Sequence, residues 1–335
     1  MAGIKRPTRA RNLNPVQPPL APPSQGGENR LMLNIYEQVD ANKRKSWLIL
    51  IGFVVFITGV MYVFSRALNF GPGYVGMALI VSGLMSLGSY YYSDQIILSL
   101  SGARPADRKR DFHFYTVTEN LAMAAQLPMP KLYVIEDTAM NAFATGRDPQ
   151  HAVVVATSGI LSRLDRTELE GVIAHELSHV KNYDIRVMAL VTILVGVVTL
   201  LADWFIRITW WGGGRRNNDR EGGNQLQAIF MVVGIALALL SPLFATLIKL
   251  AISRRREFLA DASGVQLTKY PEGLARALEK LEMDKEPLEA ANKATAHLYI
   301  TNPLKNLHSG VGWFAGLFNT HPPIEERIKM LRGMS

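Results

Sequence analysis

The 335-residue chain contains no cysteine. That excludes a disulfide framework, and any metal ion the protein holds must be taken by His, Asp or Glu instead of thiolate. Charge is also sparse: 19% of residues are Asp, Glu, Lys or Arg, against 48% hydrophobic. Apolar residues at this level, gathered in long runs, exclude a disordered chain and an ordinary soluble domain and point to membrane spans. The net charge of +8 comes from basic residues that flank those runs, with no periodic basic stripe. Anionic lipid headgroups are therefore the expected partner, and nucleic acid is not. Inside the runs ionisable groups are scarce, chiefly Asp203 and Lys249, which gives little sign of the ion pathway a transporter needs.

Read in order, residues 1–46 are polar and basic, with Pro15, Pro18, Pro19, Pro22 and Pro23 before Gly26 and Gly27, and predict a flexible cytoplasmic tail. Residues 47–100 predict a transmembrane hairpin. Trp47–Ser65 is a nearly unbroken apolar run, with no small-residue cleavage pattern behind it, and is expected to stay as an anchor. Tyr74–Tyr92 follows, rich in Gly, Ala and Ser that permit close helix contact. Lys43–Lys45 before the pair and Arg104, Arg108, Lys109 and Arg110 after it place both outer ends in the cytoplasm.

Residues 101–186 read as the first part of a catalytic domain: a helical pattern through Tyr115–Gln126, β-branched strands at Lys131–Glu136 and Ala152–Ala156, and Met140–Gly146 between them as a further strand or edge. Residues 187–252 hold a second apolar pair, Val187–Ile206 and Leu226–Ile252, either of which could span, be buried or be re-entrant. Residues 253–335 complete the catalytic domain.

The chemistry is concentrated in Arg166–Arg186, which contains His175, Glu176 and His179 as H-E-x-x-H. Residues four apart on a helix are about 40° from alignment, so both imidazoles project from one face and can share one zinc ion. Glu176 is placed to move a proton without being a ligand. The charged run Asp165, Arg166, Glu168 and Glu170 argues against a site at depth in the bilayer. After the fourth run comes Glu257-Phe-Leu-Ala-Asp261. Glu257 would complete a His₂Glu set with an open position for water. Asp261, one turn on, could accept the far ring N–H of a ligating histidine. Surface pairing of both acids with Arg254–Arg256 stays open on spacing alone. An even number of crossings must separate the two halves of such a site, and the second apolar pair supplies it.

HELSH followed by KNYDI, then REFLAD, with MNAFATG upstream and THPPIEERI late, closely resembles the HtpX-type membrane zinc metalloproteases, relatives of the CAAX prenyl proteases. The resemblance runs from about Ile35 to Leu331. It implies an α+β zincin-like (gluzincin) catalytic domain embedded among mainly α-helical transmembrane segments, multi-pass in the inner (plasma) membrane with the active site facing the cytoplasm. It implies one Zn²⁺ per chain on His175, His179 and Glu257, Glu176 as general base, and Asn141, Ala142, Phe143 and Ala144 as a substrate-binding edge strand. The expected activity is hydrolysis of peptide bonds in misfolded or damaged membrane proteins. His321 is a candidate oxyanion donor or, equally, a cap of the helix after Pro323, and Arg327 could hold that loop. Asn182 and Asp184 match the family pattern without an assigned role. The rival reading is a non-proteolytic membrane scaffold or transporter with a structural metal site.

Overall fold

The computed structural model describes residues 25–67, 73–194, 196–197, 254–284, 286, 288, 298–300 and 322–334. The proline-rich start of the tail, most of the second apolar pair and His321 lie outside the described residues. Helices α1 (Gln25–Ala67), α2 (Gly73–Tyr91) and α3 (Ser93–Leu100) come first. They lead into strand β1 (Arg104–Pro105), α4 (Phe112–Ala124), β2 (Lys131–Ile135), β3 (Ala142–Gly146) and β4 (Ala152–Thr157). Then come α5 (Ser158–Arg163), the motif helix α6 (Arg166–Lys181) and α7 over residues 184–194. The last described elements are α8 (Arg254–Thr268), α9 (Pro271–Met283) and α10 (Ile324–Arg332).

The segment 25–46, expected as part of a flexible tail, is helical from Gln25 and continuous with the first apolar run. The physical reason lies in where the prolines stop. None follows Pro23 until after Ala67, so no residue lacks the N–H a continuous helix needs.

Helix α1 packs along α2, and their large apolar residues are exposed on the outside, among them Trp47, Leu48, Ile51, Ile80 and Leu84. Among the described residues no single helix is long and apolar enough to cross a membrane, whereas Val75–Tyr91 and Ser93–Leu100 pass together across a 76° bend.

The sheet runs β1-β2-β4-β3, with β2 and β4 parallel and the other neighbours antiparallel. Its side chains alternate between two cores, as the two-residue period of a strand requires. Leu132, Val134, Ala142, Ala144, Val154 and Ala156 face α4, the motif helix and α9. Ile135, Phe143, Val153 and Val155 face α3 and the start of α7. Residues 187–194, the opening of the third apolar run, are buried throughout.

Glycines at the crossings set how closely helices meet the motif helix. A Cβ on Gly264 of α8 would stand 3.2 Å from the backbone N of His175. A Cβ on Gly171 would stand 2.7 Å from the backbone N of Leu274 on α9, with the Cα at 2.8 Å. Those are backbone atoms of a packed neighbour and cannot swing aside. Gly171→Ala should therefore cost about 1–3 kcal/mol in overpacking against about 1 kcal/mol gained in helix propensity. A lowered thermal midpoint is the expected result, and an unchanged or raised one would contradict it.

Candidate metal centre

The motif helix starts on a complete capping box. Asp165 Oδ1 accepts from the Glu168 backbone N at 2.9 Å, and Glu168 Oε2 accepts from the Asp165 N at 2.8 Å. Lys280 Nζ on α9 donates to the same Glu168 oxygen at 2.6 Å. The first turn is thereby fixed, which settles the rotation of the helix and the face that carries the histidines.

Two turns later His175 and His179 bring their Nε2 atoms to 3.2 Å of each other. Helix α8 crosses at this level and places Glu257 Oε2 3.6 Å from His175 Nε2 and Oε1 3.6 Å from His179 Nε2. All three side chains are buried, and together they are the one group among the described residues with the donors to hold a metal ion. Ligand atoms about 2.0–2.2 Å from one tetrahedral ion lie about 3.3–3.6 Å apart. The nearest donor pairs come close to that size, with one Glu257 oxygen toward each histidine, and one ligand atom from each residue lies within 4.8 Å of the others.

The outer sides of the two rings decide what the inner nitrogens can be. Asp261 Oδ1 lies 2.8 Å from His175 Nδ1, and Asp184 Oδ2 lies 3.1 Å from His179 Nδ1. Each Nδ1–H donates to a carboxylate, so each neutral ring turns a lone pair inward at Nε2. Two lone pairs and a carboxylate converging in a dry site require a cation between them. With protons as the only cation, burial pulls the His179 pKa down, but the bond from Asp184 and the charges of Glu257 and Glu176 outweigh it and raise it to about 9. The donor set fits a zinc-type ion.

Asp261 is itself held by Arg327, which donates from Nε to Oδ2 at 2.8 Å and from a terminal nitrogen to Oδ1 at 2.7 Å. Burial works against its ionisation, yet Arg327 and the His175 bond keep it charged, with a pKa lowered to about 2. Arg327 also comes within 3.4 Å of His175 Nδ1. Both groups are donors there, so that approach is a contact and not a bond. Glu176, next to His175 in the chain, is buried, and its charge acts on His179.

A sequence model of peptidase family M48 matches residues 108–335, the stretch that contains every residue of this centre. This chain belongs to peptidase family M48. It is accordingly a metalloprotease, and its curated M48 relatives are of the HtpX type. A Protease HtpX homolog of Dictyoglomus thermophilum is 43% identical over 299 residues, spanning 89% of this chain and 94% of that protein. One of Streptococcus pneumoniae (strain Hungary19A-6) is 44% identical over 306 residues, 90% of this chain and all of that protein. Among solved structures, the crystal structure of S. mikatae Ste24p overlaps 88% of this chain and 67% of its own at 18% identity and a TM-score of 0.45, a distant likeness.

Of the site residues expected for an M48 protease, the structure brings together His175, Glu176, His179, Glu257 and Asp261. Asn141–Ala144 are placed on and just before β3, the sheet edge beside the motif helix. His321 lies outside the described residues. Sequence reasoning missed the role of Asp184. Besides His179, its carboxylate takes Arg256 at 3.1 Å and Asn42 Nδ2 at 2.8 Å on Oδ1. The turn that delivers it passes through Tyr183 at φ +60°, a left-handed conformation costly for a residue with a Cβ. KNYD carries no spacing signal for such a turn.

Proposed function

We propose that this M48 protease is a membrane-anchored zinc endopeptidase with a zincin-like (gluzincin) active site on the cytoplasmic side, cleaving misfolded or damaged membrane proteins. The observation that carries it is the triangle of His175, His179 and Glu257 with Glu176 alongside. Those three residues would hold the zinc, which would supply Lewis-acid activation of water and of the scissile carbonyl. Glu176 accepts a proton from the attacking water, whose oxygen bonds to the carbonyl carbon. As the C–N bond breaks, Glu176 returns that proton to the leaving nitrogen, giving a carboxylate and an amine. His321 is the proposed donor to the developing oxyanion.

The substrate backbone is proposed to add to β3, an edge of the described sheet. Asn141 O accepts from Thr157 N on β4, so by alternation Ala142 and Ala144 direct their backbone groups outward. At Ala142 both are engaged, the N–H by Asn141 Oδ1 at 3.1 Å and the carbonyl by Ile300 N at 3.0 Å. Pairing is therefore expected to centre on Ala144, with the 298–300 segment either flanking the peptide or giving way to it. The exposed apolar sides of α1 and α2 support the anchor, and the basic residues at their outer ends support the cytoplasmic orientation.

The test is to purify the protein in detergent under metal-free conditions, then restore zinc and follow cleavage of unfolded casein. One equivalent of zinc per chain should restore activity. Hydrolysis that is indifferent to chelation and reloading would overturn the proposal.

A further inference from the structure

The buried contact between α1 and the metal centre is not used by the mechanism above. Asn42 lies in the last turns before the first apolar run and is 1% exposed. Its Nδ2 donates to the Asn182 carbonyl at 2.9 Å and to Asp184 Oδ1 at 2.8 Å, across 140 and 142 residues of chain. One amide nitrogen has two hydrogens, and both are spent on the turn that carries Asp184. Asp184 Oδ2 in turn accepts from His179 Nδ1 at 3.1 Å. Arg256, the residue before Glu257, donates to the same oxygen as Asn42 at 3.1 Å.

We infer that Asn42 is a positioning residue of the metal centre, through which the first apolar helix holds Asp184, and through it His179, in the geometry that receives zinc. This rests on the reading of His175, His179 and Glu257 as the zinc site. The chemistry favours a neutral donor at this point. Asp184 already faces Arg256, and Lys45, one turn along α1, is close enough to feel both charges. Asn42 adds two directed bonds without adding charge. It also fixes the carbonyl of Asn182, so the left-handed turn at Tyr183 is held from both sides. The helix that anchors the protein is then part of the active-site scaffold, and the catalytic domain is not separable from it.

Partners behind a ligating histidine typically hold 10- to 100-fold in metal affinity. Asn42 acts one bond further out, so Asn42→Ala should weaken zinc binding about 10-fold, the lower end of that range, read by chelator competition on the full-length protein in detergent. Asn42→Asp, which sets a carboxylate against Asp184, should weaken it more. With cobalt in place of zinc, the visible absorption of the Asn42→Ala protein should shift as the His179 ring loosens. Asn42→Ala combined with Asp184→Ala should lose no more than Asp184→Ala alone, because both act through one bond.

Ser46→Ala is the control. Ser46 is buried one turn along the same helix and, among the described residues, bonds to the Asn42 carbonyl alone, at 2.9 Å, so its loss loosens the packing without touching Asp184. Unchanged zinc affinity in Asn42→Ala, additive losses with Asp184→Ala, or an equal loss in Ser46→Ala would each overturn the inference. A wild-type protein that binds no zinc would be a different failure, that of the proposed function, and takes this inference with it.

Discussion

Glu176→Gln is expected to keep one zinc per chain while its turnover of peptide falls about 10²- to 10⁴-fold, the usual contribution of a positioned general base. The substitution is isosteric and leaves His175, His179 and Glu257 untouched, so the ion should stay. What is lost is the ability to take a proton from water and hand it to the leaving amine, which an amide cannot do. The fall corresponds to about 3–5 kcal/mol of transition-state stabilisation, and it should appear in kcat with KM little changed, since no contact to the substrate backbone is altered. His175→Ala should behave differently, losing zinc and activity together. A Glu176→Gln protein that retains more than a tenth of the wild-type rate with full zinc would remove Glu176 from the role of base.

The residues that could be read from the sequence are those whose relations follow the period of a single helix. His175 and His179 are four apart on α6, and Glu257 and Asp261 are four apart on α8. Knowing the helix is then enough to know the face. The strands at Lys131–Ile135 and Ala152–Thr157 were legible for the same reason, as short β-branched runs bounded by turns. Asp184 was not, because it reaches His179 only by way of the left-handed residue Tyr183, and no repeat predicts a break in a repeat.

Asn42 and Arg327 were missed for a different reason. Their partners lie 142 and 66 residues away in sequence, and a long-range bond leaves no local pattern. Asn42 suffered further from composition. The prolines up to Pro23 lend their character to the whole of residues 1–46, although the helix begins two residues after the last of them. Arg327 falls on the expected helix, and the partner it takes among the described residues is Asp261.

The pairing of Arg327 with Asp261 leads to the largest expected loss of stability. Arg327 and Asp261 are both fully buried, and the guanidinium meets the carboxylate with two bonds of 2.8 and 2.7 Å. A pair of this kind gains little over a well-packed apolar pair, because both ions were stripped of water to form it. Breaking it from one side is another matter, since the remaining ion is left in the dry interior. In Arg327→Met the Asp261 carboxylate keeps, among the described residues, only the His175 Nδ1–H at 2.8 Å. The expected cost is about 3–5 kcal/mol, a large part of the 5–15 kcal/mol that typically holds a domain folded. Arg327→Lys should rescue only part of it, because one ammonium cannot meet both carboxylate oxygens as the planar fork does. Removing both charges, in Arg327→Met with Asp261→Leu, should recover stability relative to Arg327→Met alone, yet weaken zinc binding, since His175 then loses the acceptor that fixes its tautomer. Chemical denaturation of the metal-free proteins in detergent separates the two effects from metal affinity. A loss below about 1 kcal/mol in Arg327→Met would place it in the range of exposed ion pairs and mean that water reaches Asp261, contrary to the buried arrangement described here.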